Sequence, residues 1–126
     1  MQLSYLIVDD NSLFLEASKT LLTHQGLNVI GTAESAEQCV ALADELDPDV
    51  ILVDVDLGAD SGLALAARLT EAPVNRHVIF TSTHHADDYA DLIAETNALG
   101  FIAKAEICRE AIEALVGNSP QVGERH

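Results

Sequence analysis

Cations are scarce in this chain: six Lys and Arg stand against 21 Asp and Glu among 126 residues, a formal net charge of −15. A surface of that sign repels the phosphate backbone of DNA and RNA and the head groups of anionic lipid, so neither is an expected partner. Long apolar runs are missing as well. No stretch reaches the roughly 18 apolar residues of a membrane span, and Met1 to Ser4 lead straight into Tyr5-Leu6-Ile7-Val8-Asp9-Asp10 without a basic segment or cleavage site. The expectation is a cytoplasmic protein without leader or membrane anchor. Only two cysteines are present, Cys39 and Cys108, with no second Cys or His at ligand spacing. A disulfide framework and a zinc site are thereby disfavoured, and both thiols are expected as buried helix residues. Internal repeats and low-complexity segments are absent too.

What remains is 48% hydrophobic and long enough for one core. Short β-branched runs alternate with longer segments of helical spacing. The runs are Leu3 to Val8, Leu27 to Gly31, Val50 to Val53, His77 to Phe80 and Leu99 to Ala103, each the length of a strand buried on both faces. Between them, amphipathic segments predict helices over Leu13 to His24, Ala36 to Leu46, Gly62 to Glu71, Ala86 to Asn97 and Glu106 to Val116. Leu13, Ala17, Leu21 and His24 fall on one stripe of the first helix, and Cys39, Leu42, Ala43 and Leu46 on one stripe of the second. Ser35 with Gln38 has the form of a capping box, and Asp47-Pro48 ends the second helix. The pattern is a strand-helix unit repeated five times, an α/β fold on a parallel sheet. Residues 1–117 make the domain, and 118–126 read as a polar tail or truncated linker.

In such a sheet the carboxyl ends of the strands share one edge, where sites form beside the reversal of strand order. The first strand ends in Asp9, Asp10 and Asn11, the third in Asp54 and then Asp56, the fourth in Thr81, Ser82 and Thr83, and the fifth in Lys104. Gathered carboxylates repel one another unless a cation compensates. All-oxygen ligands suit Mg²⁺ or another hard divalent ion such as Mn²⁺ rather than zinc. A lysine and a hydroxyl in the same pocket supply donors for phosphoryl oxygens. Helix capping is the competing explanation for any one of Asp9, Asp10 and Asn11. The coincidence of four such strand ends favours a carboxylate that accepts a phosphoryl group.

In this order and spacing, Leu6-Ile7-Val8-Asp9-Asp10-Asn11, Val53-Asp54-Val55-Asp56-Leu57 with Gly62 eight after Asp54, Phe80-Thr81-Ser82 and Gly100-Phe101-Ile102-Ala103-Lys104 resemble the receiver domain of bacterial two-component response regulators. The likeness spans about residues 3 to 117. It implies a flavodoxin-like, doubly wound (βα)5 fold with strand order 2-1-3-4-5. It also implies Asp54 as phosphoacceptor, Asp9 and Asp10 as the acidic pair that holds Mg²⁺, and the Asp56 backbone carbonyl as a further ligand. Thr81 would be the switch hydroxyl, Lys104 the phosphate-binding lysine and Phe101 the aromatic that changes rotamer. The implied partners are a sensor histidine kinase or phosphotransfer protein and a downstream effector or output domain, together with a phosphorylation-dependent second copy. Such a domain is a signalling substrate rather than an enzyme in the ordinary sense.

The chain departs from that pattern at Leu57 and Gly58, where Met and Pro are usual, which predicts a looser loop after the third strand. Ala105 stands where Pro normally follows the lysine, so no cis peptide is expected there. The interval from Thr81 to Lys104 is one residue longer than usual and keeps Ser82 as a second candidate for the switch hydroxyl. Two other function classes share parts of the pattern. Asp54-Val-Asp56 has the spacing of haloacid-dehalogenase-type phosphatases, but there the motif ends the first core strand and a cap domain follows. A pseudo-receiver that docks partners without being phosphorylated is the other, and the intact acidic set argues against it. His84, His85, Asp87 and Asp88 suggest a solvated loop sooner than a metal patch, and His24 a partner for the helix dipole. Glu106, Glu110 and Glu113 form an expected outward acidic stripe on the last helix.

Overall fold

The computed structural model describes residues 2–58, 60–71, 76–83 and 90–117. Five parallel strands form one sheet: β1 (Ser4–Val8), β2 (Asn28–Ala33), β3 (Val50–Asp54), β4 (His77–Ser82) and β5 (Gly100–Ala103). Their order is β2-β1-β3-β4-β5, the flavodoxin-like arrangement with its reversal between β1 and β3. The connecting helices are α1 (Ser12–His24), α2 (Ala36–Leu46), α3 (Gly62–Thr70), α4 (Ala90–Ala94) and α5 (Arg109–Gly117). No helix among the described residues is long and apolar enough to cross a membrane.

Alternation along the strands divides the core in two. Tyr5, Ile7, Val50, Leu52, Ile79 and Ile102 pack with Leu15 and Leu22 of α1 and Ile112 and Val116 of α5. Leu6, Val8, Ile51, Val53, Val78 and Phe80 pack on the other face with Cys39 and Ala43 of α2 and Leu65, Ala66 and Leu69 of α3. Helices on both faces explain why the strands read as unbroken apolar runs rather than alternating ones.

Helix ends follow local chemistry. Asn11 Oδ1 accepts the N–H groups of Leu13 and Phe14 and starts α1. Ser35 Oγ accepts Gln38 N–H at 3.1 Å, while Gln38 Oε1 reaches back to Glu34 N–H at 2.8 Å, one residue earlier than a standard capping box. Asp47 closes α2 in the left-handed region, with φ of 48°, before Pro48.

Several expectations are corrected. The stripe Leu13, Ala17, Leu21 and His24 faces outward, with Leu13 77% and Leu21 41% exposed, and α1 is buried through Leu15, Ser18 and Leu22 instead. Ser18 tolerates burial because its hydroxyl donates to Phe14 O at 2.6 Å, so a polar residue hides the true core face from a hydrophobicity pattern. Cys39 is a buried helix residue, whereas Cys108 is half-buried and precedes α5, where its Sγ accepts Ala111 N–H. A single 3₁₀ turn, Lys104–Glu106, separates β5 from α5, so Glu106 lies off the helix, although all three glutamates are exposed as expected. α4 stops at Ala94 rather than Asn97, because Thr96 Oγ1 donates to Ile93 O and accepts Ala98 N–H, taking the bonds a further turn would need. Apart from these corrections, Asp56–Leu57 pairs with Asp60–Ser61 after β3, and Gly58 lies there at φ of 65°. His84, His85, Asp87, Asp88 and the tail 118–126 lie outside the described residues.

Candidate functional site

Four of the expected side chains share one face of the sheet because strand side chains alternate with period two. Tyr5 and Ile7 face α1 and α5, and Asp9 is the next residue of that parity, its N–H bonded to Ala33 O at 3.0 Å just past β1. Val50 and Leu52 lead to Asp54 in the same way, Ile79 to Thr81, and Ile102 to Lys104. Asp54 and Thr81 are registered neighbours on β3 and β4. Ser82 has the parity of Phe80 and belongs to the α2 and α3 face, so the register favours Thr81 as the hydroxyl beside Asp54. Phe101 is half-buried against the α2 and α3 cluster, in register with Phe80 and on the opposite face from Lys104, as expected from their spacing.

The carboxylates converge. One oxygen from each of Asp9, Asp10 and Asp54 lies within 4.8 Å of the others, with Asp9 and Asp54 buried and Asp10 exposed. Lys104 Nζ stands 2.5 Å from Asp9 Oδ2 and 3.1 Å from Asp54 Oδ2, and its side chain is 13% exposed. Asp54 Oδ1 accepts Asp56 N–H at 3.0 Å, which lays the Asp56 peptide against the carboxylate while the Asp56 side chain is exposed. Asp9 Oδ1 accepts Asn11 N–H at 2.9 Å. Since Asn11 caps α1, capping does not account for Asp10.

Burial holds the Asp54 carboxyl above the ordinary carboxylate range, and the nearby Asp9 charge adds to this, against the Asp56 N–H and Lys104, which act the other way. Burial alone would lower the Lys104 ammonium, but the bonds and charges of Asp9 and Asp54 more than reverse it, so its pKa is raised. The lysine therefore stays charged. Three carboxylates with one ammonium leave two formal negative charges in the pocket. A hard divalent cation matches that deficit and the all-oxygen donor set. Two glycines shape the rim: a Cβ at Gly58 would stand 2.9 Å from Asp10 Oδ2, and one at Gly62 only 2.0 Å from Asp54 O.

One neighbour had no signal in the motif pattern. The ring of Phe14, in the first turn of α1, lies under Lys104 Nζ at 4.7 Å from its centroid. Ninety residues of chain separate the two, so only the fold brings them together.

The family model for the response regulator receiver domain matches residues 5–116. Among curated proteins, the response regulator GacA of Pseudomonas aeruginosa is 30% identical over 111 residues, covering 87% of this chain and 52% of that protein. The chain thus spans about half the length of the curated relatives it matches. Among solved structures, the signal receiver domain of a modulated diguanylate cyclase from Desulfovibrio desulfuricans G20 is 29% identical with a TM-score of 0.78, covering 93% of this chain and 92% of that one. A CheY-like response regulator receiver domain protein from Methanospirillum hungatei JF-1, 19% identical, superposes with a TM-score of 0.81 over 100% of both chains and shares the fold.

Proposed function

This chain belongs to the response regulator receiver domain family, and from that premise we propose that it is a phosphorylation switch whose phosphoacceptor is Asp54. An Asp54 carboxylate oxygen attacks the phosphorus of a phosphohistidine on a sensor histidine kinase or phosphotransfer protein. The new O–P bond forms as the P–N bond breaks, and the imidazole leaves with the electron pair and takes up a proton. Lys104 and Thr81 hold the oxygens of the product. Asp9, Asp10, Asp54 and the Asp56 backbone carbonyl are the residues that would hold Mg²⁺ or Mn²⁺. Bound there, the ion supplies positive charge against the incoming phosphoryl oxygens. The observation that carries this reading is the convergence of the Asp9, Asp10 and Asp54 oxygens within 4.8 Å, with Lys104 Nζ 3.1 Å from Asp54.

The proposed readout runs through β4 and β5. A phosphoryl group beside Thr81 attracts its hydroxyl, the end of β4 shifts with it, and Phe101 on the neighbouring strand β5 changes from an outward to an inward rotamer. The surface around α4, β5 and α5 then changes shape for an effector, an output domain or a second copy of the chain. Residues 1–117 form the receiver, and 118–126 are a polar tail or truncated linker. The receiver acts in the cytoplasm and touches neither nucleic acid nor membrane directly. The haloacid-dehalogenase motif sits on a first core strand, whereas Asp54 ends the third.

Incubation with acetyl phosphate, with and without Mg²⁺, followed by intact-protein mass, tests the assignment. The wild type gains one phosphoryl group only with the metal, Asp54→Asn gains none, and Asp10→Asn gains it far more slowly. A stable phosphoryl mass on Asp54→Asn contradicts the reading.

A further inference from the structure

Lys104 reaches the pocket from outside the strand ladder. It opens the 3₁₀ turn after β5, so its placement depends on what its flexible stem and ammonium touch. Two contacts are carboxylates, Asp9 and Asp54. The third is the face of Phe14, 4.7 Å from the ammonium to the ring centroid. Phe14 is itself fixed: its backbone N–H donates to Asn11 Oδ1 at 3.2 Å, and its half-buried ring packs against the cluster beneath α1 and α5. A ring face attracts a cation most strongly where water is excluded, and the lysine side chain here is only 13% exposed.

We propose that Phe14 is the positioning residue for Lys104, its ring holding the ammonium beside Asp54 in readiness for phosphoryl oxygens. The Asp54 contact changes when that carboxylate becomes an acyl phosphate, because its oxygens then no longer carry the carboxylate charge that holds the lysine. The ring takes no part in the transfer and keeps its contact throughout. A leucine of similar bulk fills the space but offers no negative face; a tyrosine keeps it. The kinetic consequence rests on the phosphoacceptor reading of Asp54, whereas the contact between ring and ammonium does not.

The test compares Phe14→Leu and Phe14→Tyr with the wild-type full chain. The chain holds just two lysines, Lys19 and Lys104, so lysine ε-methylene NMR signals are readily assigned with Lys104→Arg as the reference. The expected result is that ring current shifts the Lys104 ε-protons upfield of those of exposed Lys19 in wild type and Phe14→Tyr, and that Phe14→Leu loses the shift. With acetyl phosphate and Mg²⁺, Phe14→Leu should be slowed about fivefold at saturating donor with its half-saturating concentration little changed, and Phe14→Tyr should stay within about twofold. An unshifted Lys104 signal in the wild type overturns the proposal, even if Phe14→Leu does not fold. So does a folded Phe14→Leu at the wild-type rate, or a Phe14→Tyr impaired as much as Phe14→Leu. Should the wild type accept no phosphoryl group, the Asp54 reading fails while the lysine shift still decides the role of the ring.

Discussion

Burial separates the two thiols that composition alone treats alike. Cys39 is fully buried on α2, and burial pushes its pKa up to about 12, with Arg76 and Arg68 pulling it only partly back. Cys108 is half-buried before α5. Thiolate and access both govern alkylation, so iodoacetamide at pH 8 should modify Cys108 in the folded protein and reach Cys39 only after denaturation. Peptide mapping checks this, and rapid labelling of Cys39 in the folded chain contradicts it. Asp9, Asp54 and Lys104 were legible in the sequence, and Phe14 was not. The three charged residues each follow an apolar run directly, so their place at the sheet edge is a matter of counting. Phe14 is an ordinary apolar residue of a helix, and its contact with Lys104 exists only in three dimensions.

All five strands were legible because a parallel sheet covered on both faces needs continuous apolar runs. α1 misled because two stripes compete on it, and the more hydrophobic one, Leu13, Ala17 and Leu21, faces solvent. The buried stripe contains Ser18, whose hydroxyl is satisfied within its own helix. α4 ended early through Thr96, a side-chain competition that helical periodicity does not register. The start of α3 is the most constrained junction. Gly62 N–H donates to Val55 O at 3.0 Å, and a Cβ at Gly62 would collide with Asp54 O and Val55 Cα, both backbone atoms with little freedom to yield. Gly62→Ala should therefore cost about 2 kcal/mol or more in urea unfolding and slow phosphoryl uptake by displacing the Asp54 peptide. Wild-type stability together with a wild-type rate in this variant would show that the junction is looser than its geometry indicates.

The proposed switch has to work through a core divided into two faces. Asp54, Thr81 and Lys104 belong to the face of α1 and α5, and Phe101 to the face of α2 and α3, so a signal must cross the sheet between β4 and β5. The proposed switch requires two packings within a few kcal/mol of each other, and the unmodified chain is then expected to visit the second. A beryllofluoride adduct with Mg²⁺ should perturb backbone amides of β5 and α5 as well as those around Asp54. Thr81→Ala should abolish the distant shifts while leaving phosphorylation largely intact. Distant shifts that survive Thr81→Ala and vanish in Ser82→Ala would move the switch hydroxyl to the other face.

On phosphorylation the buried carboxylate at the end of β3 should become an acyl phosphate. Borohydride reduction of protein treated with acetyl phosphate and Mg²⁺, followed by peptide sequencing in the mass spectrometer, reads this directly, because reduction turns an aspartyl phosphate into homoserine at the modified position. Homoserine is expected at residue 54 and nowhere else. Homoserine at position 9, 10 or 56, or none in protein that binds the metal, contradicts that expectation.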